Sequence, residues 1–133
     1  LTHAHGRGHL ARAVLEGVAF AFLDGQRALL SGGARIDSLT LVGAGSRSSC
    51  GAQPLADGLG RRLDRRRGSE VGAALGAARL GRLARTGEPA EQVCVAPPLA
   101  DSFEPDMARH ADFAERHARF SRLYGALCAE MQR

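Results

Sequence analysis

Apolar residues in the first part of the chain recur at helical spacing. Leu10, Val14, Val18 and Phe22 follow one another at i, i+4, and Leu15, Leu29 and Leu30 widen the face, which predicts a helix from about His9 to Leu30. Its polar edge is narrow, carried by Arg12, Glu16, Asp24 and Arg27, so it needs cover on most sides; Arg12 and Glu16, four apart, suit an ion pair. Gly32-Gly33 ends this helix, and Leu39 to Val42 reads as a short strand. A second helix reaches Leu59. Proline lacks an N–H and its ring crowds the carbonyl four residues back, so Pro54 is expected in the first turn, with the helix starting no earlier than about Gly51 or Ala52. A short second strand is expected over Arg62 to Arg66. Ser69 reads as the N-cap of a third helix from Glu70 to Arg85, stopped by Gly87 and Pro89. Glu88 to Glu104, through Pro97-Pro98, reads as a loop. The last helix is expected from Asp106 to about Met131, with Pro105 at its start and Phe113, Phe120, Tyr124, Leu127 and Met131 as a core-facing stripe. Helix and strand alternate, so the order is α/β, helix-rich, with two strands.

Composition leaves this picture standing. The chain is 44% hydrophobic and 24% charged, neither a disordered nor a membrane-spanning balance, and its longest apolar run, Val18 to Leu23, is far short of the roughly 20 residues a bilayer needs. The net charge of +4 and five arginines in Arg61-Arg62-Leu63-Asp64-Arg65-Arg66-Arg67 raise the question of nucleic acid. All 18 basic residues are arginine, however, there is neither lysine nor asparagine, and no aromatic residue interleaves the run. That pattern fits compositional bias and a solvated charged edge, with no nucleic-acid or membrane partner. Cys50, Cys94 and Cys128 are odd in number and far apart, which argues against a disulfide framework or a zinc site and for reduced thiols in the cytoplasm. His3, His5 and His9 approach metal spacing, but no carboxylate follows until Glu16, so they read as solvated or loop-ordering.

The segment with the clearest chemistry is Leu39 to Ser49, where an apolar strand runs into Gly43, Ala44, Gly45, Ser46, Arg47 and Ser48 and then into a helix. Glycines lacking Cβ let a ligand approach the main chain, and a helix starting beyond them points its positive end at an anion, so this turn is a candidate phosphate contact; an ordinary tight turn is the alternative. Downstream, Gly68 to Gly81 is rich in glycine and alanine. Gly72 and Gly76 lie four apart, as do Ala73 and Ala77, so one helix face is nearly bare backbone and a close-packed neighbour is expected there.

Leu1, then His9-Leu10 after seven residues, then Ala13-Val14-Leu15-Glu16, followed by the Gly43 turn, the Gly72 helix and Phe103-x-Pro105 before an aromatic helix, resembles the C-terminal part of the FGGY carbohydrate kinase family. The resemblance runs over residues 1–133 and covers the last quarter to third of such an enzyme, so the chain is expected to be an incomplete second domain of an actin-like ATPase (ribonuclease H-like) fold, whose full sheet has five strands. It implies ATP with Mg2+, in-line phosphoryl transfer to a pentulose, most nearly D-xylulose to D-xylulose 5-phosphate, and a base aspartate in a position none of the aspartates here occupies. It implies no catalytic residue and no Mg2+ ligand in this chain, and hence no activity of the chain alone. The residues it places at the nucleotide are Gly43, Ala44, Gly45 and Ser46, with Ser48 and Gln53 near the adenine; Ala44 stands where the family more often has a middle glycine. A related kinase for another sugar or polyol and a free-standing nucleotide-binding or interaction module are the alternatives. Uncovered strand edges and the apolar first helix lead to an expectation of self-association or a homodimer.

Overall fold

The computed structural model describes residues 2–131, so Leu1, the first position of the signature spacing, lies outside the described residues. The first helix, α1, runs Arg7–Ser31. It starts two residues earlier than its apolar period because the His9 ring accepts from the Gly6 amide through Nδ1 (3.2 Å), serving an N-terminal donor that no hydroxyl serves here. His5 accepts likewise from the Thr2 amide (2.9 Å), so two of the three clustered histidines order the loop. The Arg12–Glu16 pair forms as the spacing requires, at 2.6 Å.

Among the described residues the sheet has three strands, one more than the sequence predicts: β1 (Leu39–Leu41), β2 (Leu63–Arg66) and β3 (Leu99–Phe103), in that spatial order. β1 runs parallel to β2, with Leu39 opposite Leu63, and β3 runs antiparallel to it, with Asp64 opposite Ser102 and Arg65 opposite Asp101. The arginine-rich segment is therefore the centre of the sheet and not a solvated edge. Its charges are tolerated because β3 supplies acids and hydroxyls across from them.

Between β1 and β2 lies α2 (Ser49–Leu59), which begins two residues earlier than Pro54 suggested and carries the proline inside. It ends on Gly60 in the left-handed region at φ +62°, where a Cβ would lie 2.7 Å from the His110 ring. Leu23, Ala56, Leu59 and Leu63 form one buried cluster, and Ala19, Phe20 and Phe113 a second; Leu55 packs against both. These clusters fasten α1 and α2 to one sheet face.

Over the other face runs α3 (Gly72–Thr86), preceded by a single tight turn at Ser69–Val71. Ser69 is not its cap. The Ser69 hydroxyl accepts from the Arg66 amide (2.9 Å) and donates to the Arg66 carbonyl, so it closes the loop behind it. The expected close neighbour of the bare face is found only at Gly72, whose Cβ would meet the Gly43 backbone at 3.5 Å; Gly76 has nothing within 4 Å. A groove of about 240 Å³ remains there, walled by Thr40, Val42, Leu75 and Pro97.

The stretch read as a loop also holds a short helix, α4 (Ala90–Val93), besides β3. The last helix, α5 (Met107–Met131), is capped by Asp106, whose Oδ1 accepts the amides of Ala108 (2.9 Å) and Arg109 (3.2 Å). It folds back over α1. Phe113 meets Phe20 edge-on at 6.0 Å, Arg116 pairs with Glu16, and the buried His117 ring lies between Asp24 and Arg27. Arginine can only donate, so His117 accepts at Nδ1 (2.9 Å) and gives its Nε2 proton to Asp24 (2.7 Å). Beyond His117 the aromatic stripe leaves the core: Phe120 still meets the Phe20 ring at 5.2 Å but is exposed, and Tyr124, Leu127 and Met131 are all more than half exposed.

Candidate functional site

β1 delivers the chain to Gly43, whose φ of +87° is open to glycine and strained for other residues. The Gly43 amide donates to the Ser69 carbonyl (2.8 Å), and the Gly43 carbonyl accepts from both the amide (3.0 Å) and the hydroxyl (2.7 Å) of Ser46. That double contact closes a tight turn, Ala44–Arg47, and buries Ser46. Ser48 then extends the backbone for one residue before α2 begins, and its side chain makes no cap bond to the first amides of α2.

The six predicted positions divide by what their side chains do. Gly43, Ala44, Gly45, Ser46 and Ser48 are brought into one turn; Ala44, Gly45 and Ser48 are exposed on it, while the Ser46 hydroxyl is turned inward and occupied. Gln53 lies further along α2, where its amide donates to Asp57 Oδ1 and to the Glu104 carbonyl, both at 2.8 Å, so its side chain ties α2 to the strand–helix junction and not to the turn. A Cβ on Gly45 would meet nothing within 4 Å, and Gly45 is not among the glycines of positive φ. Neither packing nor backbone geometry demands glycine at that position. Bare backbone on an open, outward face at the start of an 11-residue helix suits the approach of an anionic group.

Two structural residues were not legible from the sequence. Asp57 is almost wholly buried, yet its Oδ1 accepts from Gln53 and from the Asp106 amide (3.0 Å), and Arg109 stands 3.6 Å from Oδ2. Arg65 reaches from β2 to the Ser46 carbonyl (2.8 Å). Neither carries a motif: besides Gln53, four residues back on α2, the partners of Asp57 are Asp106 and Arg109, and those of Arg65 are Ser46 and Asp101, all far along the chain. Among the described residues no three His, Cys, Asp or Glu side chains gather in metal-binding geometry, and no helix is long and apolar enough to cross a membrane.

With this geometry in view, residues 1–85 match the model of the FGGY family of carbohydrate kinases, C-terminal domain. The chain belongs to the FGGY carbohydrate kinase family. Over 128 residues this FGGY segment is 45% identical to the xylulose kinase of Escherichia coli (strain K12), covering 96% of the chain and 26% of that protein. Among solved structures it superposes on the xyloylose kinase from Brucella ovis with a TM-score of 0.83 at 43% identity, over 97% of the chain and 27% of that one. The xylulose kinase from Rhodospirillum rubrum gives 0.81 at 28% identity, over 100% of the chain and 27% of that one. The chain thus spans about a quarter of the length of the relatives it matches, and its helix-rich architecture with a small mixed sheet is that of a partial FGGY C-terminal domain.

Proposed function

We propose that this chain is the nucleotide-side segment of an ATP-dependent kinase acting on D-xylulose, with the turn Gly43–Ser48 as its contact to the nucleotide. The observation that carries the reading is Gly45, a glycine that the chain's own packing and backbone do not require, on the exposed side of a strand-to-helix turn. ATP would supply the transferable phosphoryl group and its Mg2+ the charge neutralisation, with the metal's ligands outside this chain. Ala44 and Gly45 would offer backbone to the phosphates and ribose, Gly43, whose own amide and carbonyl are engaged by Ser69 and Ser46, would set the turn through its positive φ, and Ser48 would stand near the base. Ser46 and Gln53 would act by holding the turn and the helix behind it. The sugar specificity is proposed from the two curated relatives, both xylulose kinases by name. The same reading puts the protein in the cytoplasm, consistent with Cys50, Cys94 and Cys128 forming no disulfide.

The test is Gly45→Val in the whole kinase. Three added carbons at the point of closest approach are expected to raise the KM for ATP about tenfold or more, roughly the cost of losing one good contact, while the KM for D-xylulose stays within twofold. Unchanged ATP affinity would reduce the turn to a structural bend, and turnover of a different sugar in place of D-xylulose would move the reading within the family.

A further inference from the structure

One cation meets the candidate turn from behind. Arg65 lies directly opposite Asp101 in the β2–β3 register, and its guanidinium makes two parallel bonds to that carboxylate, Nε to Oδ1 at 2.8 Å and Nη2 to Oδ2. The remaining nitrogen, Nη1, donates to the Ser46 carbonyl at 2.8 Å. The guanidinium stacks 5.6 Å from the Phe103 ring centre and is only about one-fifth exposed. A planar fork with two arms fixed on a carboxylate has no rotational freedom left for the third, so the position of Asp101 on β3 dictates where the Ser46 carbonyl stands. The next residue of β2 serves the turn's other end: the Arg66 backbone fixes the Ser69 hydroxyl, and the Ser69 carbonyl receives the Gly43 amide. The turn is thereby suspended from consecutive residues of the central strand.

We propose that Arg65, oriented by Asp101, is a positioning residue for nucleotide binding, holding the Ala44–Arg47 turn in its binding form before the nucleotide arrives. This rests on the reading of the turn as the nucleotide contact. Its physical content is preorganisation: a turn already ordered costs the ligand nothing to order, whereas a loose one subtracts that ordering from the affinity. Lysine would not replace the arginine, since a point charge cannot grip a carboxylate with two arms and a carbonyl with a third. Arg62 is the natural control. It stands just before β2 and, like Arg65 within the strand, bonds across to β3, at Ser102 (2.8 Å), but it makes no bond to the turn.

The experiment is steady-state kinetics of the whole kinase with Arg65→Ala, Arg65→Lys, Asp101→Asn and Arg62→Ala, alongside Gly45→Val and thermal unfolding of each. The expected result is an ATP KM raised about tenfold in Arg65→Ala, the scale of one charge-assisted bond, and by a smaller factor in Arg65→Lys and Asp101→Asn. The KM for sugar and kcat stay within about twofold, and Arg62→Ala leaves the ATP KM within the same margin. A purely architectural role would show as a lowered melting temperature with all constants moving together, in Arg62→Ala as much as in Arg65→Ala, and would overturn the proposal. If Gly45→Val raises the ATP KM and the Arg65 and Asp101 variants do not, the positioning role alone fails; if Gly45→Val also leaves it unchanged, the nucleotide reading fails with it. Should Arg65→Ala fail to fold, Arg65→Lys and Asp101→Asn decide by the same criteria.

Discussion

Asp64, in the central strand, accepts from Arg62 Nε and from the Ser102 hydroxyl, each at 2.8 Å. The Arg62 bond first, then that of Ser102, holds its carboxyl below the usual carboxylate range. A carboxyl whose pKa is depressed in the folded state stabilises the fold above its unfolded pKa, and that contribution disappears as pH falls through the folded value. The native chain is therefore expected to exceed Asp64→Asn in stability by a constant margin from about pH 5 upward, with the margin shrinking below about pH 4. Urea unfolding across that range checks it, and a margin indifferent to pH would remove the charge from the explanation. Arg62 is a local partner of Asp64, but Ser102 for Asp64 and Asp101 for Arg65 could not have been read from Arg61 to Arg67, where five arginines and one acid look like a solvated face. The choice of partner depends on the register of a strand 36 residues downstream of Arg65, and no local spacing encodes it.

Phe113 carries the docking of α5. It is buried against Phe20 and stacks under Arg116 at 4.8 Å, and it leaves no room on α2, where a Cβ on Gly58 would come within 3.3 Å of its ring. Phe113→Ala is expected to cost about 3–5 kcal/mol and to lower amide protection over α5 more than over α1. Leu123→Ala, on the exposed half of the same helix, is expected to stay within about 0.5 kcal/mol. Equal losses in hydrogen exchange from the two variants would place the docking elsewhere. The helices with strong apolar period, α1 and α5, were legible to within two residues. β3 was not, because Leu99-Ala100-Asp101-Ser102-Phe103 is defined as a strand by polar pairing across to β2, whereas alternation in a sequence signals only burial. The start of α2 lies earlier than Pro54 implies, because the helix accommodates the proline inside. Of the candidate site, the turn itself was legible from its glycines; the inward Ser46 hydroxyl and the engaged Gln53 amide were not, since both depend on contacts that only the fold supplies.

At the scale of the molecule, the apolar residues that find no cover form continuous faces. On α1, Leu10, Val14, Val18 and Phe22 are each half or more exposed, and on α5 the same holds for Leu123, Tyr124, Leu127 and Met131. The chain is expected to self-associate through these faces, giving species above 14.0 kDa in sedimentation equilibrium at micromolar concentrations. Val14→Glu with Val18→Glu is expected to return it to a monomer. A single 14.0 kDa species with cooperative unfolding in the unmodified chain would overturn this. The buried Asp57 has a bearing on time as well as on packing. Its carboxylate receives the Asp106 amide at the threshold of α5, and its carbonyl receives the His110 ring at 2.9 Å, so the end of the chain is seated on a platform that α2 must already have built. Ribosomal synthesis delivers α1 and α2 well before residue 107 emerges, and the order of folding can follow the order of delivery. The last helix is then the clasp fastened last, and in any local opening the first to come undone.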